Sequence, residues 1–183
     1  MTVTIAFTTD DEANDLLAEN RFAFLVGMVL YQQVPVEKAF AGPHALQVRL
    51  GRTLQASTVA ATDPETLEAV FREKPALHRF PTNMAKRTQA MASKIVDTYA
   101  GDPDGIWSDG DARTVLERLE ELPGFGEYKA RVTLGVLVRR YGIDLDGAEP
   151  LLPDWPSIAD VEKPEDLSHL KVRKKMWKDA QAS

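Results

Sequence analysis

The hydrophobic pattern of the chain is helical almost throughout. A continuous apolar run lies at Phe22–Tyr31, and its length of about ten residues is half of what a membrane span needs. We therefore predict a buried helix that ends near Gln32. A second clear helix is predicted at Met84–Tyr99, where apolar residues recur every three or four positions and most basic residues fall between them.

Capping signals predict where further helices begin. An aspartate, or a proline in the first turn, is typical of a helix N-terminus. The predicted starts are, in chain order, Asp10 or Asp11 (with the helix running to about Glu19), Pro35, Asp63-Pro64-Glu65 and Asp111. The helix from Pro35 should reach towards Leu50 and be interrupted or bent near Gly42-Pro43. The stretch Gly101–Gly105 is a loop by composition.

One short segment departs from the helical pattern. Val3, Ile5 and Phe7 alternate with Thr2, Thr4 and Ala6, which predicts a short strand or an extended arm before the first helix. The fold class that we predict is therefore all-α, with one short N-terminal strand at most.

Composition excludes several kinds of site. The 183 residues contain no cysteine and three histidines, so disulfides, iron–sulfur clusters, thiolate zinc sites and cysteine nucleophiles are excluded, and a histidine-rich metal centre is not expected. The formal net charge is -6, which is not the profile of a protein that binds nucleic acid by bulk charge. Residues 1–11 show no basic leader or long apolar stretch, so we expect a cytoplasmic protein.

Basic residues are nevertheless clustered. No acidic residue occurs between Lys74 and Val96, and a second group of basic residues surrounds Trp177 near the end of the chain. The basic residues of the two clusters are Lys74, Arg79, Lys86, Arg87 and Lys94, and Lys171, Arg173, Lys174, Lys175 and Lys178. Such clusters can neutralise phosphates, although a charge run is more often a solvated helix face.

The most specific motif lies between two predicted helices. Leu122-Pro123-Gly124-Phe125-Gly126-Glu127-Tyr128-Lys129-Ala130 places two glycines around one apolar residue, directly before a helix. This spacing permits a tight turn whose backbone amides point outwards at the helix start, where they can bind a phosphate without basic side chains. An ordinary helix-turn-helix connection is the alternative.

This string resembles the helix-hairpin-helix signature of the base-excision DNA glycosylase superfamily. The segment Leu30–Ala39 resembles the part of that superfamily in which a glutamine-bearing turn faces the DNA minor groove. Ala85-Lys86-Arg87 resembles the alkyl-purine glycosylase branch, which lacks an iron–sulfur cluster. The resemblance covers roughly residues 22–146.

The resemblance implies a two-lobed helical bundle that forms a single unit over residues 1–183. The inner lobe would span about residues 20–125, and the N-terminus together with about residues 126–183 would form the second lobe. The DNA-binding residues that it implies are Gln32, Gln33, Leu122, Gly124, Gly126, Tyr128 and Lys129. A steric role for the glycines and a solvated cap for the glutamines are the alternatives.

The resemblance also implies a reaction. Bifunctional members carry an amine two residues after the second hairpin glycine, where this chain has Tyr128. Lys129 follows one residue later, about 100 degrees around the helix, so the chain resembles monofunctional members that use water. The family's catalytic aspartate corresponds to Asp146 without gaps, or to Asp154 in Leu151-Leu152-Pro153-Asp154 if a short insertion is allowed. Neither is followed by the residues that usually flank it, so both could be loop carboxylates.

We therefore expect a hydrolase acting on N-glycosyl bonds, a monofunctional DNA glycosylase of base-excision repair associated with the nucleoid. Its partner would be double-stranded DNA with a damaged base, and it would not associate with a membrane. We expect a monomer that needs no cofactor. The resemblance allows a monovalent cation bound at the hairpin. The resemblance favours alkylated or oxidised purines. The alternatives are a non-catalytic helix-hairpin-helix DNA-binding protein and a helical protein-interaction module.

Overall fold

The computed structural model describes residues 2–183, and the fold of these residues is all-α. Short 3₁₀ turns lie at Pro103–Ile106, Glu149–Leu151 and Ile158–Asp160. The α-helices of the described range are α1 (Asp11–Glu19), α2 (Arg21–Leu30), α3 (Val36–Leu50), α4 (Ala56–Ala61), α5 (Pro64–Arg72), α6 (Pro81–Tyr99), α7 (Ala112–Glu120), α8 (Glu127–Arg139) and α9 (Asp166–Ala182).

Three of the predicted helix starts are confirmed together with the side chains that cap them. The carboxylate of Asp10 accepts a hydrogen bond from the Ala13 amide at 3.2 Å. Asp63 and Asp111 accept equivalent bonds from the third residue of α5 and of α7. These bonds satisfy amides that have no partner inside the helix, which explains why the aspartates mark the helix boundaries.

Of the two alternatives predicted for α3, an interruption or a bend, the interruption is wrong, because the helix is continuous through Gly42 and Pro43. Both residues are buried, and a Cβ on Gly42 would lie 2.4 Å from Cδ1 of Leu30 in α2. Gly42 therefore allows α2 and α3 to pack closely. Burial of this face compensates for the backbone hydrogen bond that a proline within a helix removes.

The predicted N-terminal strand is also wrong, because no residue in the described range forms a β-ladder. Ile5, Ala6 and Phe7 are all buried, whereas a half-buried strand would have exposed Ala6. Phe7 packs edge-on against Phe40 of α3, with 5.0 Å between ring centroids. The segment is a packed, irregular arm, and the described residues offer it no strand with which to pair.

The core is organised around α2, in which nine of ten residues are buried. This helix packs against α1, α3 and α6, while α4 and α5 lie against α6. Next along the chain, α7 packs against α8, and α8 and α9 both contact the 3₁₀ turn at 158–160. Within residues 2–183, no helix has the length and apolar character needed to cross a membrane.

Candidate functional site

The glycine turn, residues 122–126, connects α7 to α8. Gly124 has a φ of +86°, a backbone conformation that favours glycine. Leu122 and Phe125 are buried, and the Phe125 amide donates to the Leu122 carbonyl at 3.0 Å. The turn is thus fixed from the inside, and Leu122 can contact a ligand only through its backbone.

Gly126 differs from Gly124 because its backbone conformation does not require glycine. Its φ is -98°, which any residue adopts, and a Cβ added there would meet no atom within 4 Å. Nothing in the folded chain therefore requires glycine at this position. Gly126 is also the N-cap of α8 and supplies no capping side chain, so the first amides of α8 are available for hydrogen bonds to an anion.

The glutamine turn, residues 31–35, connects α2 to α3. Gln33 is exposed and has a φ of +58°, an unusual conformation for a residue other than glycine that is often found at functional sites. The turn is held by His78, whose ring Nε2 is 3.0 Å from the Gln32 carbonyl oxygen. Burial lowers the pKa of His78, and the Phe80 amide donates to Nδ1. The neutral ring therefore donates from Nε2 to the turn.

Arg87 of α6 links the glutamine turn to the glycine turn. Its guanidinium donates to the side-chain oxygen of Gln32 at 2.7 Å. The stem of the same arginine lies 3.6 Å from the position that a Cβ of Gly124 would occupy. Two turns that are about 90 residues apart in sequence are therefore neighbours, as an interface built from both requires.

A cavity of about 140 Å³ lies between the end of α2 and the start of α8. It is lined by Met28, Tyr31, Tyr128, Lys129 and Val132, and we call it the aromatic cavity. Burial, followed by the charge of Arg87, lowers the pKa of Lys129 to about 8. Its Nζ makes one long hydrogen bond, 3.4 Å to the Val29 carbonyl.

A second amine lies beside the aromatic cavity. Lys174 of α9 donates to the hydroxyl of Tyr31 at 2.8 Å, and its Nζ is 5.4 Å from the centroid of that ring. Burial and the charge of Glu37 raise the pKa of Tyr31 to about 12. The phenol is therefore neutral at physiological pH, accepts from Lys174 and retains its own hydrogen for donation.

Tyr128 forms an exposed aromatic pair with Trp155. The rings are stacked with 5.0 Å between centroids and 15° between planes, and Tyr128 is 59% exposed. The Arg131 guanidinium lies 4.6 Å from the Trp155 ring centroid and donates to the carbonyls of Leu151 and Leu152. These contacts hold the segment 151–155 against the first turns of α8.

The two candidate aspartates occupy different ends of the α7–α8 pair. Asp154 is exposed and precedes Trp155, so it lies in the segment held against the start of α8. Asp146 is exposed too, but its carbonyl accepts from the amide of Ala112, the first residue of α7. The glycine turn follows the other end of this helix, roughly 12 Å away at 1.5 Å per residue. Asp154 therefore follows Pro153, which lies beside Gly135 in α8, and precedes Trp155, which stacks on Tyr128 in the first turn of α8, whereas Asp146 lies beside the start of α7.

The direction of Lys129 differs from a simple reading of the helical wheel. Lys129 lines the same cavity as Tyr128 and donates to the Val29 carbonyl of α2, so the rotation by one residue does not turn it away from the site. Other polar and aromatic residues of the site were not predicted as site residues, namely Tyr31, His78, Arg87, Arg131, Trp155 and Lys174. Tyr31 and Trp155 are direct neighbours of predicted residues, and Arg87 and Lys174 belong to the two basic clusters. No sequence signal connects His78 with the two turns.

Comparison with known proteins adds no assignment, because no family model, curated protein or solved structure matches the chain. Within residues 2–183, no three His, Asp or Glu side chains come together as metal ligands. The chemistry of the site therefore consists of the groups described above: backbone amides, amines, a guanidinium, phenols and an exposed carboxylate.

Proposed function

We propose that the protein is a monofunctional DNA glycosylase of base-excision repair. The observation that supports the proposal is that Arg87 links the glutamine turn to the glycine turn. Tyr31 of the glutamine turn and the first turns of α8, which follow the glycine turn, line one cavity. Trp155, the residue after Asp154, stacks on Tyr128 in the same part of α8. A turn, an anion-binding helix start, a cavity and a carboxylate are the parts that base extrusion and hydrolysis need.

In this proposal α7, the glycine turn and α8 form a helix-hairpin-helix motif that binds the phosphates of the damaged strand. The exposed amides at the start of α8 receive a phosphate, and the absence of a Cβ at Gly126 lets the DNA backbone approach closely. Gln33 is exposed beside the cavity wall formed by Tyr31, so it can fill the space left by an extruded nucleotide.

The DNA would lie in a cleft between two lobes, with the glutamine turn on one side and the glycine turn on the other. Basic groups from different helices line this region, which supports the binding of a polyanion despite the acidic total charge. They are Arg87 of α6, Lys129 and Arg131 of α8, and Lys174 of α9. A monovalent cation at the carbonyls of the hairpin stays a prediction.

Hydrolysis would proceed with water as the nucleophile. Cleavage of the N-glycosidic bond develops positive charge on the sugar, and a nearby carboxylate stabilises this charge and orients the water. We assign this role to Asp154, because it lies beside the aromatic pair at the start of α8. Base release is tested by incubation with duplexes that carry single lesions, followed by alkaline cleavage of abasic sites. A protein that binds DNA without catalysis would leave every duplex intact.

DNA affinity is expected to fall steeply as the salt concentration rises. The reason is that local basic groups and helix amides displace counterions from the phosphates, whatever the net charge of the whole chain. Gel shift or fluorescence anisotropy at several salt concentrations measures the slope. A flat response, or no binding of DNA at low salt, would favour the protein-interaction module.

Gly126→Val is expected to weaken duplex binding by about tenfold or more, because its side chain occupies the space into which a phosphate would come. The fold should persist, since φ at Gly126 is -98° and the space around it is open, with a small loss of stability because valine is a poorer N-cap than glycine. Gly124→Ala is the matched comparison, and it should lower stability because φ is +86°. Anisotropy and thermal unfolding separate the two effects. Wild-type affinity in a folded Gly126→Val variant would contradict phosphate binding by this turn.

A further inference from the structure

The aromatic cavity has the dimensions of a single ring. Its volume of about 140 Å³ is close to the roughly 150 Å³ of an engineered protein cavity that binds benzene. Met28 and Val132 supply apolar contacts, and Tyr31 and Tyr128 supply aromatic ones. Such a space suits the six-membered ring of a nucleobase.

The polar groups of this cavity are hydrogen-bond donors. Lys129 is a donor only, with three hydrogens and one long bond to the chain, so its remaining capacity is available to a ligand. The Tyr31 hydroxyl already accepts from Lys174, which leaves its hydrogen for donation. No aspartate or glutamate of the described residues lines the cavity, and Glu37 acts on Tyr31 only as a nearby charge.

The charge of the cavity wall is positive. Lys129 lines the space and Lys174 adjoins it through Tyr31. The Nζ of Lys174 lies 2.8 Å from the Tyr31 hydroxyl and 5.4 Å from the centroid of that ring, which places this cation at the hydroxyl edge of the ring. The pKa of Lys129, about 8, leaves the amine mostly protonated at pH 7. A positively charged base would meet like charges, and no carboxylate is among the residues that line the cavity.

We propose that the base accepted by the aromatic cavity is neutral and carries ring carbonyl groups, as deaminated and oxidised bases do, and that cationic N-alkylated purines are rejected. Lys129 and Tyr31 would donate to the carbonyl oxygens, and Lys129 would set the specificity. This inference rests on the proposed glycosylase function. Of the two substrate classes that the family resemblance favours, alkylated and oxidised purines, it selects the oxidised class. It extends that class to any neutral base with ring carbonyls.

The test uses matched duplexes with one central lesion each. Uracil, hypoxanthine and 8-oxoguanine represent the neutral class, whereas 7-methylguanine and 3-methyladenine represent the cationic class. We expect the single-turnover rate of release, divided by the spontaneous rate for the same duplex without protein, to be about tenfold or more higher for at least one neutral lesion than for either methylated purine. An equal or larger acceleration for the methylated purines would overturn the inference and leave the proposed function standing. Intact duplexes throughout would overturn the proposed function itself, and the inference with it.

Lys129→Met tests the group to which the preference is assigned. Removal of the amine should slow release of the neutral lesion by about tenfold or more and narrow the preference over the methylated purines. Lys163→Met makes the same chemical change at an exposed position outside the cavity and should leave both rates unchanged. A wild-type preference in a folded Lys129→Met variant would overturn the role of Lys129.

Discussion

Asp154→Asn is expected to lower base release by about two orders of magnitude or more while duplex binding persists. The amide has nearly the same shape as the carboxylate but carries no charge, so it cannot stabilise an oxocarbenium-like transition state. Binding should persist because the glycine turn, the glutamine turn and the amines that contact DNA are not changed. Single-turnover release and anisotropy on the same lesion duplex measure the two effects separately.

Asp146→Asn is the matched control for this experiment. It makes the same chemical change in an exposed turn beside the start of α7, at the end of that helix remote from the glycine turn. It should leave release at the wild-type rate. If Asp146→Asn abolishes release and Asp154→Asn does not, the alignment without gaps identifies the catalytic carboxylate. Activity in the double variant would remove both aspartates from the mechanism.

Borohydride, which reduces a Schiff base to a stable adduct, tests whether the nucleophile is water or an amine of the protein. A mechanism that uses water forms no Schiff base, so no covalent adduct with DNA should be trapped. An adduct that is lost in Lys129→Ala would contradict the water mechanism and assign the nucleophile to that amine. Lys129 is a candidate for this role because it is partly buried, lines the cavity and has a pKa lowered to about 8, which are conditions that activate amines.

The sequence predicted helices well where a local signal determines them. Asp10, Asp63 and Asp111 cap the helices that they were predicted to open, because capping depends on a few neighbouring residues. By contrast, α4 (Ala56–Ala61) was not predicted. Its six residues have no capping side chain, and a segment this short depends on packing against α6 for its stability.

In the candidate site, too, features set by neighbouring residues could be predicted and features set by tertiary contacts could not. The glycine spacing correctly indicated a turn between two helices, because the required positive φ is a local property of Gly124. The position of the segment with Asp154 against α8 could not be predicted, because it depends on the path of a loop and on the contacts of Arg131 and Trp155. The direction of Lys129 depends on how α8 is rotated against α2, which no pattern within α8 specifies.

Lys129→Met is expected to stabilise the protein even though it should impair base release. In the folded state Lys129 is partly buried, and desolvation of its amine lowers the pKa from 10.5 to about 8. Folding therefore disfavours its charged form. Methionine has a similar length, has no charge and would pack against Met28 and Val132, which line the same cavity. Replacement of a poorly compensated buried charge by an apolar side chain is often stabilising, here by on the order of 2 kcal/mol at pH 7.

The pH dependence of this gain identifies its cause. Because the folded pKa of Lys129 lies below the unfolded value, the wild-type protein gains stability as the pH rises from about 8 towards 10.5. The methionine variant has no such titration, so its advantage should shrink over the same interval. Thermal unfolding at pH 7 should show an increase in Tm of roughly 4 to 8 °C, which becomes smaller at pH 9.5.

Lys163→Met controls for the loss of a lysine at an exposed position, and its stability should stay within about 0.5 kcal/mol of wild type. A lower Tm for Lys129→Met at pH 7 would contradict the prediction and make the amine a structural group that supports the packing of α8 against α2. A higher Tm combined with slower release would mean that the fold carries an unfavourable buried charge which the reaction requires. Stability lost in favour of activity in this way is characteristic of a functional site.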